Sequence, residues 1–452
     1  MVQARMIDRS RPPVTAELPA YKLPPVVETR LANGLEVLLV HEGRLPLVSL
    51  RLGFAAGSKF DPPGLWGLSE TTAAMLTEGT PSRSARQIAE QVTDLGAVLK
   101  AYSGPDALVI EGSVLAENLS AFVELVAEAA REATFPEAEL ELRKQIRKQE
   151  LLAQRALADF LAQEKLAQVV FGSHPYAHQE PTPESIEKLD REKLVAFRDK
   201  FLRPANGVLI VVGQIPAAEE AMKLLEAHLA DWNGAPAPQV ALAQPPEPER
   251  SVTLIDRPGS VQADVRVGRL AVTRTHPDYF ALLLASTILG GGASSRLFMD
   301  IREKRGYAYD AHSSLNAMKD AGLLEIVTQT RHEVLPEALS AVLEQMGRIG
   351  NEAVSEQELE TARNYLSGVY VMRLETQQGL ASQLVATRLL GLPLDYLEKY
   401  TQRLRAVERE QVRTAAARYI HPDKAAIVVV ADAREIRSRL EQFGPIEVEK
   451  AP

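Results

Sequence analysis

The chain repeats itself, and the repeat restricts the folds open to it more tightly than length does. Residues 200–214 read KFLRPANGVLIVVGQ, and residues 418–432 read RYIHPDKAAIVVVAD. In each, the end of a helical stretch meets a proline, crosses a short turn and enters an apolar, β-branched run. Pro204 stands as far from Gly213 as Pro422 does from Ala431. A second, gapless alignment pairs LTEGTPSRSARQIAE from Leu76 with LGGGASSRLFMDIRE from Leu289. The two matches have nearly the same offset, so one duplication accounts for both. Between the copies, residues 233–250 read NGAPAPQVALAQPPEPER, whose prolines and alanines suit a semi-extended linker. The 452 residues therefore divide into an extended arm (1–24), an N-terminal domain (25–232), the linker (233–250) and a C-terminal domain (251–452).

Within the first copy, residues 34–41 and 47–54 carry β-branched and apolar side chains around a turn at Glu42–Arg44, and read as strands. Helical stretches are expected at 65–76 and 84–95, then strands near 98–102 and 107–113. Leu115, Leu119, Phe122 and Val126 recur at helical spacing, and one long charged helix is expected from Pro136 towards Gln168. Strands in pairs with helices between the pairs predict α+β halves, each a largely antiparallel sheet packed with helices. No GxGxxG or Walker pattern supports nucleotide binding. A net charge of −9 and a pI near 5.6 argue against nucleic acid as a partner. No apolar run reaches the roughly 18 residues that suggest a membrane span, and no apolar core follows the N-terminal arginines as a secretory signal requires. Cytoplasm is the expected compartment, although a chain without cysteine tolerates the periplasm equally.

The stretch from Leu289 to Tyr309, LGGGASSRLFMDIREKRGYAY, carries the most chemical information. Gly290, Gly291 and Gly292 permit a turn that a Cβ would resist. Ser294 or Ser295 is placed to cap the segment that follows, with Leu297, Phe298 and Ile301 on one face. The segment stops at Gly306 and presents Arg302 and Tyr309 on either side of the break. Peptide hydrolysis builds negative charge on a carbonyl oxygen; a permanently charged guanidinium and a phenol that donates without charge suit that oxygen. Taken alone, Arg302 could equally pair with Asp300 or Glu303 at the surface, and Tyr309 could fill a strand position in the core.

This stretch resembles the C-terminal half of the pitrilysin-family (inverzincin) zinc peptidases, in which an arginine and a tyrosine at this spacing hold the substrate peptide. The resemblance runs from about Pro25 to Ile436. It implies a His-x-x-Glu-His motif on a helix shortly before a Gly-Thr pair, where two imidazoles bind zinc and the glutamate activates water. The corresponding residues 64–80 read GLWGLSETTAAMLTEGT. Counted back from Gly79 and Thr80, the three motif positions hold Glu70, Ala73 and Ala74. Alanine has no lone pair to offer a metal, and a lone carboxylate does not retain zinc. Glu150 stands where the family places its third ligand, either as a relic of it or as one more solvated glutamate in ELELRKQIRKQELL. Trp66 is a candidate to fill space at the altered segment. His174 and His178 share i, i+4 spacing, but Pro175 breaks the helix that would align them, and they are not read as a second metal pair. No Ser-His-Asp or G-x-S-x-G arrangement offers another hydrolase.

The resemblance implies a division of labour. This chain would carry no catalytic residue, metal or cofactor of its own, and Arg302 and Tyr309 would bind peptide substrate. Zinc and the general base would come from a homologous HxxEH-bearing partner in a heterodimer closed around a chamber. The competing expectation is a non-enzymatic scaffold, as in core proteins of respiratory complexes, or a peptide-binding homodimer. Atomic absorption of the isolated, chelator-washed chain should find no stoichiometric zinc; a retained zinc whose removal abolishes proteolysis would contradict this reading.

Overall fold

The computed structural model describes residues 21–451 except 235, 238, 239, 241 and 248; most of the expected arm lies outside the described residues. The apolar, β-branched runs form strands. In the first half these are β1 (Val26–Arg30), β2 (Glu36–His41), β3 (Leu47–Phe54), β4 (Val98–Ser103), β5 (Leu108–Leu115) and β6 (Gly207–Gly213). In the second they are β7 (Ser251–Asp256), β8 (Gln262–Ala271), β9 (Ala308–Ala317), β10 (Gly322–Arg331), β11 (Ala426–Ala431) and β12 (Ile446–Lys450). The two sheets are ordered β1-β2-β6-β3-β5-β4 and β12-β7-β11-β8-β10-β9. The repeated apolar runs become β6 and β11, central in both sheets and each entered through a 3-10 turn, Pro204–Asn206 or Pro422–Lys424. Pairing is antiparallel except for β2 with β6, β7 with β11 and β7 with β12. This is the expected α+β architecture of two homologous halves.

Both faces of each sheet are apolar, and each face has a different cover. Along β6, Leu209 and Val211 join the core of their own half, whereas Val208, Ile210 and Val212 join the core of the other. The cover on that second side is the helix Gln377–Leu389, which crosses from the second half onto β3 and β6. Reciprocally, the helix Ala158–Phe171 leaves the first half and lies on β8 and β11, where Leu161, Leu166 and Val170 pack with Ala426, Val428 and Val430. Glycines make the seats. A Cβ at Gly53 would stand 2.6 Å from Val385 Cγ2, and one at Gly268 would stand 2.7 Å from Leu166 Cδ1.

This exchange corrects one sequence expectation. The single helix expected from Pro136 towards Gln168 is two helices, Glu137–Arg155 and Ala158–Phe171. No proline or glycine marks the break; the chain turns at Ala156 and Leu157 so that the second segment can bury its apolar side chains on the opposite sheet. Tertiary burial outweighs local propensity. The helices expected at 65–76 and 84–95 form as Leu68–Met75 and Ala85–Asp94, the latter capped by Ser84. Leu115 closes β5 rather than opening the next helix, which begins at Leu119. The described residues of 233–250 form neither helix nor strand. Among the described residues no helix is long and apolar enough to cross a membrane.

Overpacking a seat tests the exchange. Gly268→Val should cost roughly 1–3 kcal/mol, read as a lowered thermal or urea midpoint. Gly104→Ala, where a Cβ meets nothing within 4 Å, should stay within about 0.5 kcal/mol of the parent. Equal midpoints for the two variants would show that the helix does not rest on β8.

Candidate functional site

Two places need description: the helix that carries the altered motif, and the segment of Arg302 and Tyr309. The helix Leu68–Met75 starts from Gly67, whose φ of 91° favours glycine. Its N-terminal donors are met by the buried Asp61, whose Oδ2 accepts from the Gly67 N–H and Oδ1 from the Ser69 N–H, both at 2.9 Å. Ala73 is buried, while Glu70 and Ala74 are half-buried.

Facing Glu70, the helix Glu137–Arg155 presents Arg143 and Arg147 one turn apart. Arg147 Nε lies 2.7 Å from Glu70 Oε1. Its Nη2 donates to Glu70 Oε2 at 3.3 Å and to Glu180 Oε2 at 2.6 Å, and its Nη1 to Gln154 Oε1 at 2.9 Å. Arg143 stands 3.7 Å from Glu70 and 3.6 Å from Glu150. Burial draws the Arg147 pKa down, but Glu70 and Glu180 more than offset this and leave it raised. Burial pushes the Glu180 carboxyl up, against the pull of Arg147.

These side chains do not fit a zinc ion. Two of the three motif positions offer only methyl groups, and the third carboxylate is turned to guanidinium groups. Among the described residues no three His, Cys, Asp or Glu side chains cluster so as to hold a metal. Glu150 is brought to the same cluster as Glu70, through Arg143, with its side chain 46% exposed. His174 Nδ1 accepts the Tyr176 N–H at 3.2 Å and so caps the short turn after it. His178 stacks on Trp66, with ring centroids 4.1 Å apart. Sequence reading missed Arg143, Arg147 and Glu180. The available signal was the pair of arginines at i, i+4 within three and seven residues of Glu150.

The second place is built on a close approach. Gly290 ends the helix Tyr279–Gly290 so near β9 that a Cβ there would lie 2.2 Å from the Ser313 nitrogen. Arg296 then anchors the chain through two N–H bonds to Glu358, at 2.6 and 3.1 Å. Phe298–Lys304 is wound as a π-helix with Leu297 and Ile301 buried. Helical winding starts at Arg296, which puts Ser295 at the expected cap position, but its hydroxyl is buried without a hydrogen-bond partner, so no side-chain cap is made there. π-turns often mark functional positions. Here the guanidinium of Arg302 lies over two rings, 4.6 Å from the Phe298 centroid and 4.5 Å from that of Tyr309.

The geometry bears differently on the competing readings of the two residues: a surface pair of Arg302 with Glu303 forms, whereas a core position for Tyr309 does not. Asp300 is engaged by Arg305 Nε at 3.0 Å and by Gln345 Nε2 at 3.0 Å, which leaves Arg302 with only Glu303, at 3.4 Å. Tyr309 is 83% exposed, so it is no core aromatic. A bulge explains its direction: Thr328 pairs with Ala311 but Thr330 with Ala308, so β9 carries one extra residue there. Tyr309 and Asp310 consequently both face solvent, on a strand at the edge of its sheet.

Residues 36–182 match the family described as insulinase (peptidase family M16), and residues 188–366 match the peptidase M16 inactive domain. The crystal structure of a peptidase M16 inactive domain from Pseudomonas fluorescens superposes with a TM-score of 0.84 at 30% identity, covering 90% of this chain and 98% of that one. The chain belongs to peptidase family M16. A protease from Helicobacter pylori shares the M16 fold at a TM-score of 0.83 and 19% identity, covering 91% and 100% of the two chains. Among curated M16 relatives, the uncharacterized zinc protease YmxG of Bacillus subtilis is 24% identical over 399 residues, 88% of this chain and 96% of its own length.

Asp61 gives the M16 motif helix a pH dependence. Burial pushes its carboxyl up to about 7, against the pull of the Ser69 and Gly67 donors. A folded pKa above the ordinary 3.8 favours the protonated form, so stability declines as pH rises from about 4 through about 7. Asp61→Asn removes that slope at a constant cost in hydrogen bonding. Its thermal midpoint should therefore gain on the parent's between about pH 4 and pH 8, and parallel profiles would show that Asp61 does not titrate there.

Proposed function

We propose that this M16 chain is the substrate-binding subunit of a heterodimeric zinc peptidase that degrades or processes peptides. Arg302 and Tyr309 grip the peptide, and an HxxEH-bearing homologue supplies zinc and the general base. One observation carries the reading: Arg302 is stacked on an exposed Tyr309 with its donors largely free, while Glu70 in the motif helix is engaged by arginines. The two rings hold the guanidinium in place, at about 0.5–1 kcal/mol for an exposed contact, so less side-chain freedom is lost on binding. The free edge of β9 offers backbone donors and acceptors to an extended peptide, which would then run past both side chains.

Mixing the chain with an HxxEH-bearing M16 subunit from the same organism should give peptide turnover that neither shows alone. Arg302→Ala and Tyr309→Phe should each lower kcat/KM of the pair by about 10²–10³-fold while sedimentation shows the complex intact. Full turnover in both variants removes their role, and a stable homodimer that binds peptide unaided favours the non-enzymatic reading.

A further inference from the structure

The altered motif has not simply emptied. Glu70, Glu150 and Glu180 come from three separate elements, the two facing helices and the loop after the Pro175–Ala177 turn, yet all converge on two arginines. Carboxylates gathered at a half-buried seam repel one another unless a cation lies between them. The Arg147 side chain is that cation: it is 9% exposed and touches two oxygens of Glu70, one of Glu180 and one of Gln154. We propose that Arg147, seconded by Arg143, replaces a metal ion as the fixed positive charge that ties the Leu68–Met75 helix to the Glu137–Arg155 helix. A guanidinium suits the task, since its planar fork meets a carboxylate through two atoms and keeps its charge at every accessible pH.

The substitution has a chemical consequence. A metal ion and a guanidinium cannot share one carboxylate at contact distance without strong mutual repulsion. Restoring the motif residues alone would therefore leave the site closed to zinc, because Arg147 and Arg143 remain beside it. Glu70→His would also strip Arg147 of its bidentate partner and set an imidazole against two cations. Loss of the ligands and presence of the arginines are thus coupled, whether or not Arg302 and Tyr309 hold peptide.

Zinc uptake tests this directly. The chain carrying Glu70→His, Ala73→Glu and Ala74→His, loaded with zinc and desalted, should retain less than about 0.1 zinc per chain by atomic absorption. Adding Arg143→Gln and Arg147→Gln should raise retention to about one, with Glu150 free to complete the set. Stoichiometric zinc in the three-substitution chain overturns the proposal, and so does a folded five-substitution chain that gains none. A simpler variant keeps it falsifiable where the five substitutions prevent folding. Arg147→Met alone should lower the thermal midpoint by roughly 3–8 °C by stranding its carboxylates, and adding Glu70→Gln should recover much of that loss. An unchanged midpoint in Arg147→Met overturns the proposal equally.

Discussion

The reciprocal loan of one helix by each half is the contact on which the rest of the structure depends. Strands β6 and β11 are apolar on both faces, so each sheet needs a second cover that its own half does not provide. Without the helix Gln377–Leu389, which lies on β3 and β6, Val208, Ile210 and Val212 would meet water. At about 1.5–3 kcal/mol for each buried aliphatic side chain, that is roughly 5–9 kcal/mol. The sum rivals the whole stability of an ordinary domain, about 5–15 kcal/mol, so neither half is expected to stand alone. A polar tie reinforces the apolar one. Lys59, nearly buried, lies 2.9 Å from Asp106 at the β4–β5 turn and 2.7 Å from Asp320 at the β9–β10 turn. The hairpin that carries Tyr309 is thereby fixed at its far end to the half that carries Glu70.

Much of this arrangement could be read before the structure, and the failures share one cause. The repeated runs ending at Gln214 and Asp432 marked the central strands because β-branched residues, a proline and a turn are local signals. The turn at Gly290 and the placing of Arg302 and Tyr309 on either side of the break at Gly306 were legible for the same reason, since these signals are contiguous in the chain. The helix break at Leu157 was not legible, since only the distant sheet of β8 and β11 makes a turn there favourable. The exposure of Tyr309 was open because it depends on a bulge, and a bulge is a property of two strands in register. Arg147 passed as one more charge in ELELRKQIRKQELL because its partners, Glu70 and Glu180, lie 77 and 33 residues away. Ser295 does stand just before the first helical residue, but its hydroxyl makes no capping hydrogen bond, a matter of side-chain orientation that composition does not reveal.

Two arginines in this chain show how surroundings, rather than residue type, decide what a guanidinium can do. Arg147 and Arg302 each lie on a helix and each face a group on another element. Arg147 is ringed by acceptors, and its charge is spent on holding two helices together. Arg302 is less engaged because Arg305 and Gln345 have already taken Asp300, which leaves it the neighbouring Glu303, at 3.4 Å, as its carboxylate partner. Its other contacts are ring faces, which orient a guanidinium without consuming its N–H donors. Alignment of Leu76 with Leu289 sets Glu70, Ala73 and Ala74 opposite Leu283, Ser286 and Thr287 of the second half. Neither copy of the duplicated helix therefore carries the His-x-x-Glu-His set. Just beyond the helix of the second copy, a bulge and a π-turn leave one cation and one phenol facing solvent.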